Sequence, residues 1–279
     1  MSRASNGDVE IHYETFGDAG DPALVLVNGL SSQCINYAAE WCELFVAEGY
    51  RTIRMDNRDV GLSSKVEEGY TLADMADDVL AVLDAEGIDR AHVMGLSMGG
   101  MIAQRLAIDH PDRLITMTSV MSRTGEPGFG DSTPEALAFL TAAPAASRQE
   151  YIDNHVAAIG VYGSTPEWID DDETRARAAA AYDRCFHPAG VARQMDAAMR
   201  DGSRDEGLRA VTVPTLVMHG SRDTLIQPSG GRHTAEVVPD ARYVEIEGMG
   251  HDYPRAVWKH WVRVWSDFAA HHRPPITTA

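Results

Sequence analysis

Short runs of consecutive apolar residues recur along the chain, beginning with Leu24-Val25-Leu26-Val27. Similar runs occupy residues 52–55, 91–94, 114–120, 215–218 and 243–246. A strand that is apolar at successive positions is buried on both faces, as in a parallel sheet covered by helices. Residues 9–16 (Val-Glu-Ile-His-Tyr-Glu-Thr-Phe) alternate instead, which predicts a solvated antiparallel edge strand near the start. Between the runs lie helical patterns over 35–47, 72–86, 99–110 and 255–271. The last places Trp258, Trp261, Val262, Trp265 and Phe268 along one stripe. Alternating strands and helices predict an α/β fold with a mostly parallel central sheet flanked by helices.

The alternation stops between Ser122 and Gly207. A glycine-rich loop at 124–130 leads into segments rich in Ala, Glu and Arg that read as helices at 134–142, 148–159, 172–185 and 188–201, and strand patterns resume at Val213. The expected organisation is a core made of residues 1–121 and 208–279, with 122–207 inserted between two late strands as a helical cap, or lid. Such an insertion falls over the C-terminal edge of the sheet, where open α/β sheets bind ligands. The alternative is a helical annex with no part in the site.

The 279 residues carry 24 Lys and Arg against 42 Asp and Glu, a formal charge of −18. That balance argues against nucleic acid or an anionic membrane surface as a partner. No apolar run reaches the roughly 18 residues needed to span a bilayer, and the first residues lack the apolar core of a signal peptide. Cys34, Cys42 and Cys185 are too few and too scattered for a disulfide framework. The chain therefore reads as soluble and cytoplasmic, with a small molecule as its partner. It has no H-E-x-x-H, no paired-cysteine motif and neither glycine-rich nucleotide fingerprint, so neither a metal nor an organic cofactor is expected. Oligomeric state is not readable.

The sharpest chemical signal is Gly95-Leu96-Ser97-Met98-Gly99. Alone, G-x-S-x-G is weak; directly between a strand and a helix it describes a turn that forces a serine hydroxyl to a helix N-terminus, where negative charge is favoured. A serine hydroxyl needs a base, and the base needs an orienting group. Among 11 histidines, His251 lies in a glycine loop (Gly248-Met249-Gly250-His251) just after the last strand pattern. Asp223 follows the strand at 215–218 and leaves the same sheet edge. His92 and His219 lie in or at the ends of strands and read as structural. A tetrahedral oxyanion requires two backbone donors; the amides of Met98, after the serine, and Leu30, in the loop after the first buried strand, are the candidates. Met121, Tyr162, Trp168, Ile226 and Met249, with Met98 and Phe139, flank these positions and suit an apolar substrate pocket, although each would serve equally as core.

The order Ser97, Asp223, His251 and these motifs resemble the α/β-hydrolase superfamily over nearly the whole chain. Asp56-Asn57-Arg58-Asp59-Val60-Gly61-Leu62-Ser63 looks like that superfamily's D-x-R-G-x-G-x-S loop, with Asp59 where glycine is usual. Together with Gly95-Leu96-Ser97-Met98-Gly99-Gly100, Ile108-Asp109-His110-Pro111-Asp112-Arg113-Leu114 and residues 119–125, it is similar to the aclacinomycin methylesterase-like, actinobacterial esterase-lipase group. The resemblance implies a Ser-His-Asp triad at Ser97, His251 and Asp223, an acyl-enzyme route to carboxylic ester cleavage, small to medium or natural-product esters as substrates, and no cofactor. It departs at Asn28-Gly29, where His-Gly is usual, and at Asp59, which is expected to fix its own loop by local hydrogen bonds. Serine at 97 excludes relatives that use an aspartate nucleophile. An enol-lactonase, a carbon–carbon bond hydrolase or a perhydrolase could use the same triad, and a ligand-sensing protein could keep the fold without catalysis.

Overall fold

The computed structural model describes residues 2–272. Eight strands form one sheet: β1 (Ser2–Asn6), β2 (Val9–Phe16), β3 (Ala23–Val27), β4 (Arg51–Met55), β5 (Ala91–Leu96), β6 (Leu114–Val120), β7 (Thr215–Gly220) and β8 (Arg242–Ile246). Their spatial order is β1-β2-β4-β3-β5-β6-β7-β8. β1/β2 and β2/β4 pair antiparallel, and all later pairs are parallel. β3 to β7 are buried along their whole length, as the unbroken apolar runs require.

The covering helices are α1 (Ala39–Ala47), α2 (Leu72–Ala85) and α3 (Met98–Asp109). Between β6 and β7 come α4 (Pro134–Leu140), α5 (Arg148–Tyr162), α6 (Asp171–Arg184), α7 (Pro188–Arg200) and the short α8 (Asp205–Leu208). α9 (Pro228–Val237) and α10 (Arg255–Ala270) follow. Odd and even strand positions feed opposite layers. Val25, Val27, Ile53 and Val93 pack with α2 and α3, while Leu24, Leu26, Met94 and Met218 pack with α1 and α10. All five residues of the α10 stripe are buried, and Trp41, Phe45, Trp261 and Trp265 interlock edge to face. Full burial of side chains this large stabilises the fold by about 1.5–3 kcal/mol each.

Three sequence expectations need correction. Val9–Phe16 is not the edge strand, because β1 pairs outside it through a turn in which Gly7 takes φ 58°. The polar sequence of β1 hid that hairpin, and His12 and Tyr13 are consequently buried. The helix expected over 35–47 is broken: a single 3₁₀ turn, Cys34–Asn36, is followed by extended backbone at Tyr37 before α1 begins at Ala39. There the buried Tyr37 hydroxyl donates to the Val27 carbonyl at 2.9 Å. Helix α9 was not anticipated; its Gly230-Gly231 pair weakens the helical signal, and Gly231 is required because a Cβ there would lie 2.4 Å from His219 Nδ1. Among the described residues, no helix is long and apolar enough to cross a membrane.

Candidate active site

Strand β5 turns into α3 within one residue. Ser97 takes φ 56°, ψ −120°, a left-handed backbone that costs a non-glycine residue about 1–3 kcal/mol and persists only where the surroundings enforce it. The surroundings are close. A Cβ at Gly95 would sit 1.9 Å from the Gly99 carbonyl oxygen, and one at Gly99 would sit 2.1 Å from the Val27 carbonyl oxygen. Both obstacles are backbone, so neither can swing aside. Gly95→Ala is therefore expected to destabilise the fold by several kcal/mol, beyond the cost of ordinary substitutions; a melting temperature within about 2 °C of wild type would contradict this packing.

Ser97 Oγ lies 3.0 Å from His251 Nε2, and His251 Nδ1 lies 2.7 Å from Asp223 Oδ2. Asp223 accepts only, so Nδ1 carries the proton and Nε2 is left free to accept from the serine. The three residues meet at the C-terminal ends of β5, β7 and β8. The other Asp223 oxygen accepts the amides of Leu225 and Ile226, both at 2.9 Å. Burial works to raise the Asp223 pKa, but the adjacent His251 charge and hydrogen bonds from His219 and His251 outweigh it and hold the carboxyl below its ordinary value. The loop after β8 is fixed by the insertion: the His251 amide donates to the Tyr162 carbonyl at 2.7 Å, and the Gly250 amide donates to Ser164 Oγ at 3.0 Å.

Gly29 abuts the serine, since a Cβ there would be 3.1 Å from Ser97 Cβ. Leu30 follows it, and Met98 opens α3. Asn28 holds this loop by donating to the Met55 carbonyl at 3.0 Å, while Asn57 donates to the Asn28 carbonyl at 2.9 Å. Asp59, at φ 74°, accepts from the Val66 amide and the Tyr70 hydroxyl within its own loop. It also takes a two-pronged contact from Arg193 on α7, at 2.8 and 3.0 Å, so a carboxylate at the glycine position reaches the inserted helices as well.

A cavity of about 570 Å³ opens over Ser97 and His251, within the size range of small-molecule sites. Of the five pocket residues expected from the sequence, Met121 and Tyr162 line it, as does Phe139. The other three do not. Met249 is fully buried in the core beneath the sheet edge. Ile226 is buried in the Asp223 loop and accepts His219 Nε2 at 2.7 Å through its carbonyl. Trp168 lies against Gly248, whose Cβ would meet it at 3.0 Å. Adjacency in sequence to a catalytic position does not fix which way a side chain points.

Two residues beside the site are given no part in it by the sequence reading. His219, read as structural, is fully buried and also contacts the carboxylate of Asp223: its Nε2 lies 3.2 Å from Asp223 Oδ2, and its place at the end of β7, four residues before Asp223, is the available signal. Arg177 lines the cavity, and its buried Nε has no hydrogen-bond partner among the described residues. It stands one residue before the buried Ala178 in an alanine-rich helix. Nearby His155 is pushed down to about 4 by burial and by the Arg177 charge, so it is neutral at pH 7.

Buried His12, Cys34 and Asp56 place one ligand atom each within 4.8 Å of one another. The Arg184 guanidinium already engages two of the three, 2.8 Å from Asp56 Oδ2 and 3.4 Å from Cys34 Sγ. Burial also pushes the Cys34 thiol well up, which disfavours the thiolate a metal needs.

This fold with this serine turn defines the α/β-hydrolase class of serine hydrolases. Within it, the chain belongs to the hydrolase family described as serine aminopeptidase, S33, whose profile matches residues 19–255. The chain is similar to the rhodomycin D methylesterase DnrP of Streptomyces peucetius, 32% identical over 91% of this chain and 92% of the relative. By structure it resembles an enol-lactonase from Burkholderia xenovorans LB400, with TM-score 0.79 and 24% identity over 96% and 100% of the two chains. It also resembles the meta-cleavage product hydrolase of Pseudomonas fluorescens IP01, with TM-score 0.82 and 19% identity over 98% of each. These two structural likenesses concern the fold.

Proposed function

We propose that this chain is a carboxylic ester hydrolase working through an acyl-enzyme on Ser97, and that its substrates are esters with a bulky, largely apolar acyl part. The observation that carries the reading is the Ser97–His251–Asp223 hydrogen-bonded relay beside a cavity of about 570 Å³; likeness to a methylesterase supports the ester class. His251 Nε2 takes the hydroxyl proton as Ser97 Oγ bonds to the ester carbonyl carbon. The resulting oxyanion is held by the Leu30 and Met98 amides, and Asp223 stabilises the imidazolium. Collapse breaks the bond to the alcohol oxygen, which leaves with the proton from His251. Water, losing a proton to the same nitrogen, then releases the acid and restores Ser97. In this reading residues 122–207 are the cap over a core of 1–121 and 208–279.

The test is a burst of p-nitrophenol from a p-nitrophenyl ester and fluorophosphonate labelling of Ser97, followed by methyl esters, lactones and vinylogous diketones side by side. Methyl esters of bulky acids should be preferred. Labelling and a burst both absent would overturn the enzyme reading, and a preference for diketones would overturn the ester class. Arg177, whose buried Nε has no hydrogen-bond partner among the described residues, offers its guanidinium to an oxygen on the acyl part. Arg177→Met should raise KM about tenfold for an oxygenated ring ester, the value of one charge-assisted hydrogen bond, while p-nitrophenyl acetate is unaffected. Equal KM for both enzymes would remove Arg177 from recognition.

A further inference from the structure

The loop that follows β3 is held from the inserted helices. Ser31 sits at φ 62°, left-handed without being glycine, so something must keep it there. Its amide donates to Gln194 Oε1 on α7 at 3.0 Å, and Gln194 Nε2 donates to the Arg58 carbonyl at 2.9 Å. Gln194 is completely buried. Two residues further on, Gln33 Nε2 donates to the carbonyls of Ala181 on α6 and Cys185 just after it, at 2.7 and 3.0 Å. Asn28 secures the other end against β4. Leu30 therefore lies between a strand anchor and anchors supplied by helices far away in sequence.

We propose that Gln194 is a positioning residue for catalysis: by accepting the Ser31 amide, its side chain holds the oxyanion loop in its catalytic shape. This rests on the proposed role of the Leu30 amide. Donor geometry at an oxyanion is demanding, and a misplacement of about 1 Å can cost on the order of 100-fold in rate. The ground-state ester depends on the loop less than the developing oxyanion does, so the loss falls on kcat rather than KM. Docking of α7 has a separate anchor in the Arg193–Asp59 pair, which allows the two effects to be told apart.

The experiment compares wild type, Gln194→Leu, Gln194→Glu and Arg193→Leu for kcat, KM, melting temperature and inhibition by a trifluoromethyl ketone, whose adduct with the serine carries an oxyanion. Gln194→Leu should lower kcat about 30- to 100-fold with KM within about twofold, and weaken the ketone by a similar factor. Gln194→Glu keeps an acceptor for the Ser31 amide but loses the donor to the Arg58 carbonyl, so its kcat should fall between those of wild type and Gln194→Leu. Arg193→Leu should lower the melting temperature while ketone affinity stays within about threefold. A folded Gln194→Leu with unchanged kcat and ketone affinity overturns the proposal, as does an Arg193→Leu variant that reproduces its kinetic loss. A wild type that turns over no ester sinks the functional reading and this proposal together; an active wild type with an unaffected Gln194→Leu sinks this proposal alone.

Discussion

Ser97→Ala should lower turnover of a p-nitrophenyl ester by about four orders of magnitude or more, with folding intact. Removing the hydroxyl removes the atom that bonds to carbon, and loss of the nucleophile alone disables the whole relay. Whatever remains would come from binding and the oxyanion donors. Alanine keeps the strained φ of 56° and deletes one oxygen, so the melting temperature should hardly move. Ser97→Gly should be equally inactive yet melt higher, because glycine adopts this backbone without penalty; relief of about 1 kcal/mol corresponds to a few degrees in a chain this long. The pair separates strain from chemistry. Turnover near wild type in either variant would end the covalent mechanism.

Asp223→Asn should lower kcat by about 10⁴-fold, comparable with loss of the orienting carboxylate in other triads. Asn at this position presents an amide group to two imidazoles, His251 Nδ1 at 2.7 Å and His219 Nε2 at 3.2 Å. If its NH₂ faces His251, that ring must accept at Nδ1 and carry its proton on Nε2, toward Ser97, where it cannot act as base. The stability effect has a definite sign. The Asp223 carboxyl is held below its ordinary pKa against the opposing effect of burial, so its charged contacts stabilise the fold above the unfolded value of about 3.9. That contribution fades as pH falls through the lower folded value. Asp223→Asn should therefore be less stable than wild type at pH 7, with the gap closing below about pH 3.9. Denaturant midpoints measured across pH check this; a gap that widens in acid would contradict it.

Much of the core was legible because a doubly covered strand must be apolar at every position. Residues 24–27, 114–120 and 215–218 leave few other ways to bury themselves, and the α10 stripe states its buried face outright. The serine turn was legible for a steric reason: glycine at 95 and 99 is what permits β5, α3 and the Val27 carbonyl to approach so closely. β1 and α9 were hidden, one by polarity and the other by a glycine pair whose second member makes room for His219.

The pocket shows the opposite case. Met249 and Ile226 neighbour His251 and Asp223 in sequence yet point into packed interior, while Gln194 and the Tyr162 carbonyl, which hold the loops of the site, come from the insertion. Their roles exist only as contacts between segments more than 70 residues apart.

The sequence alone determined the covered sheet, the glycine-enforced serine turn and the placing of Ser97, Asp223 and His251 each after a strand, because those depend on local sterics and on burial that every residue reports for itself. Only the tertiary structure decided which side chains face the cavity, that Asp223 is shared by two histidines, and that the inserted helices hold the loops bearing His251 and Leu30. Those facts depend on the direction of side chains and on pairings between remote segments, which a one-dimensional pattern of polar and apolar residues does not encode.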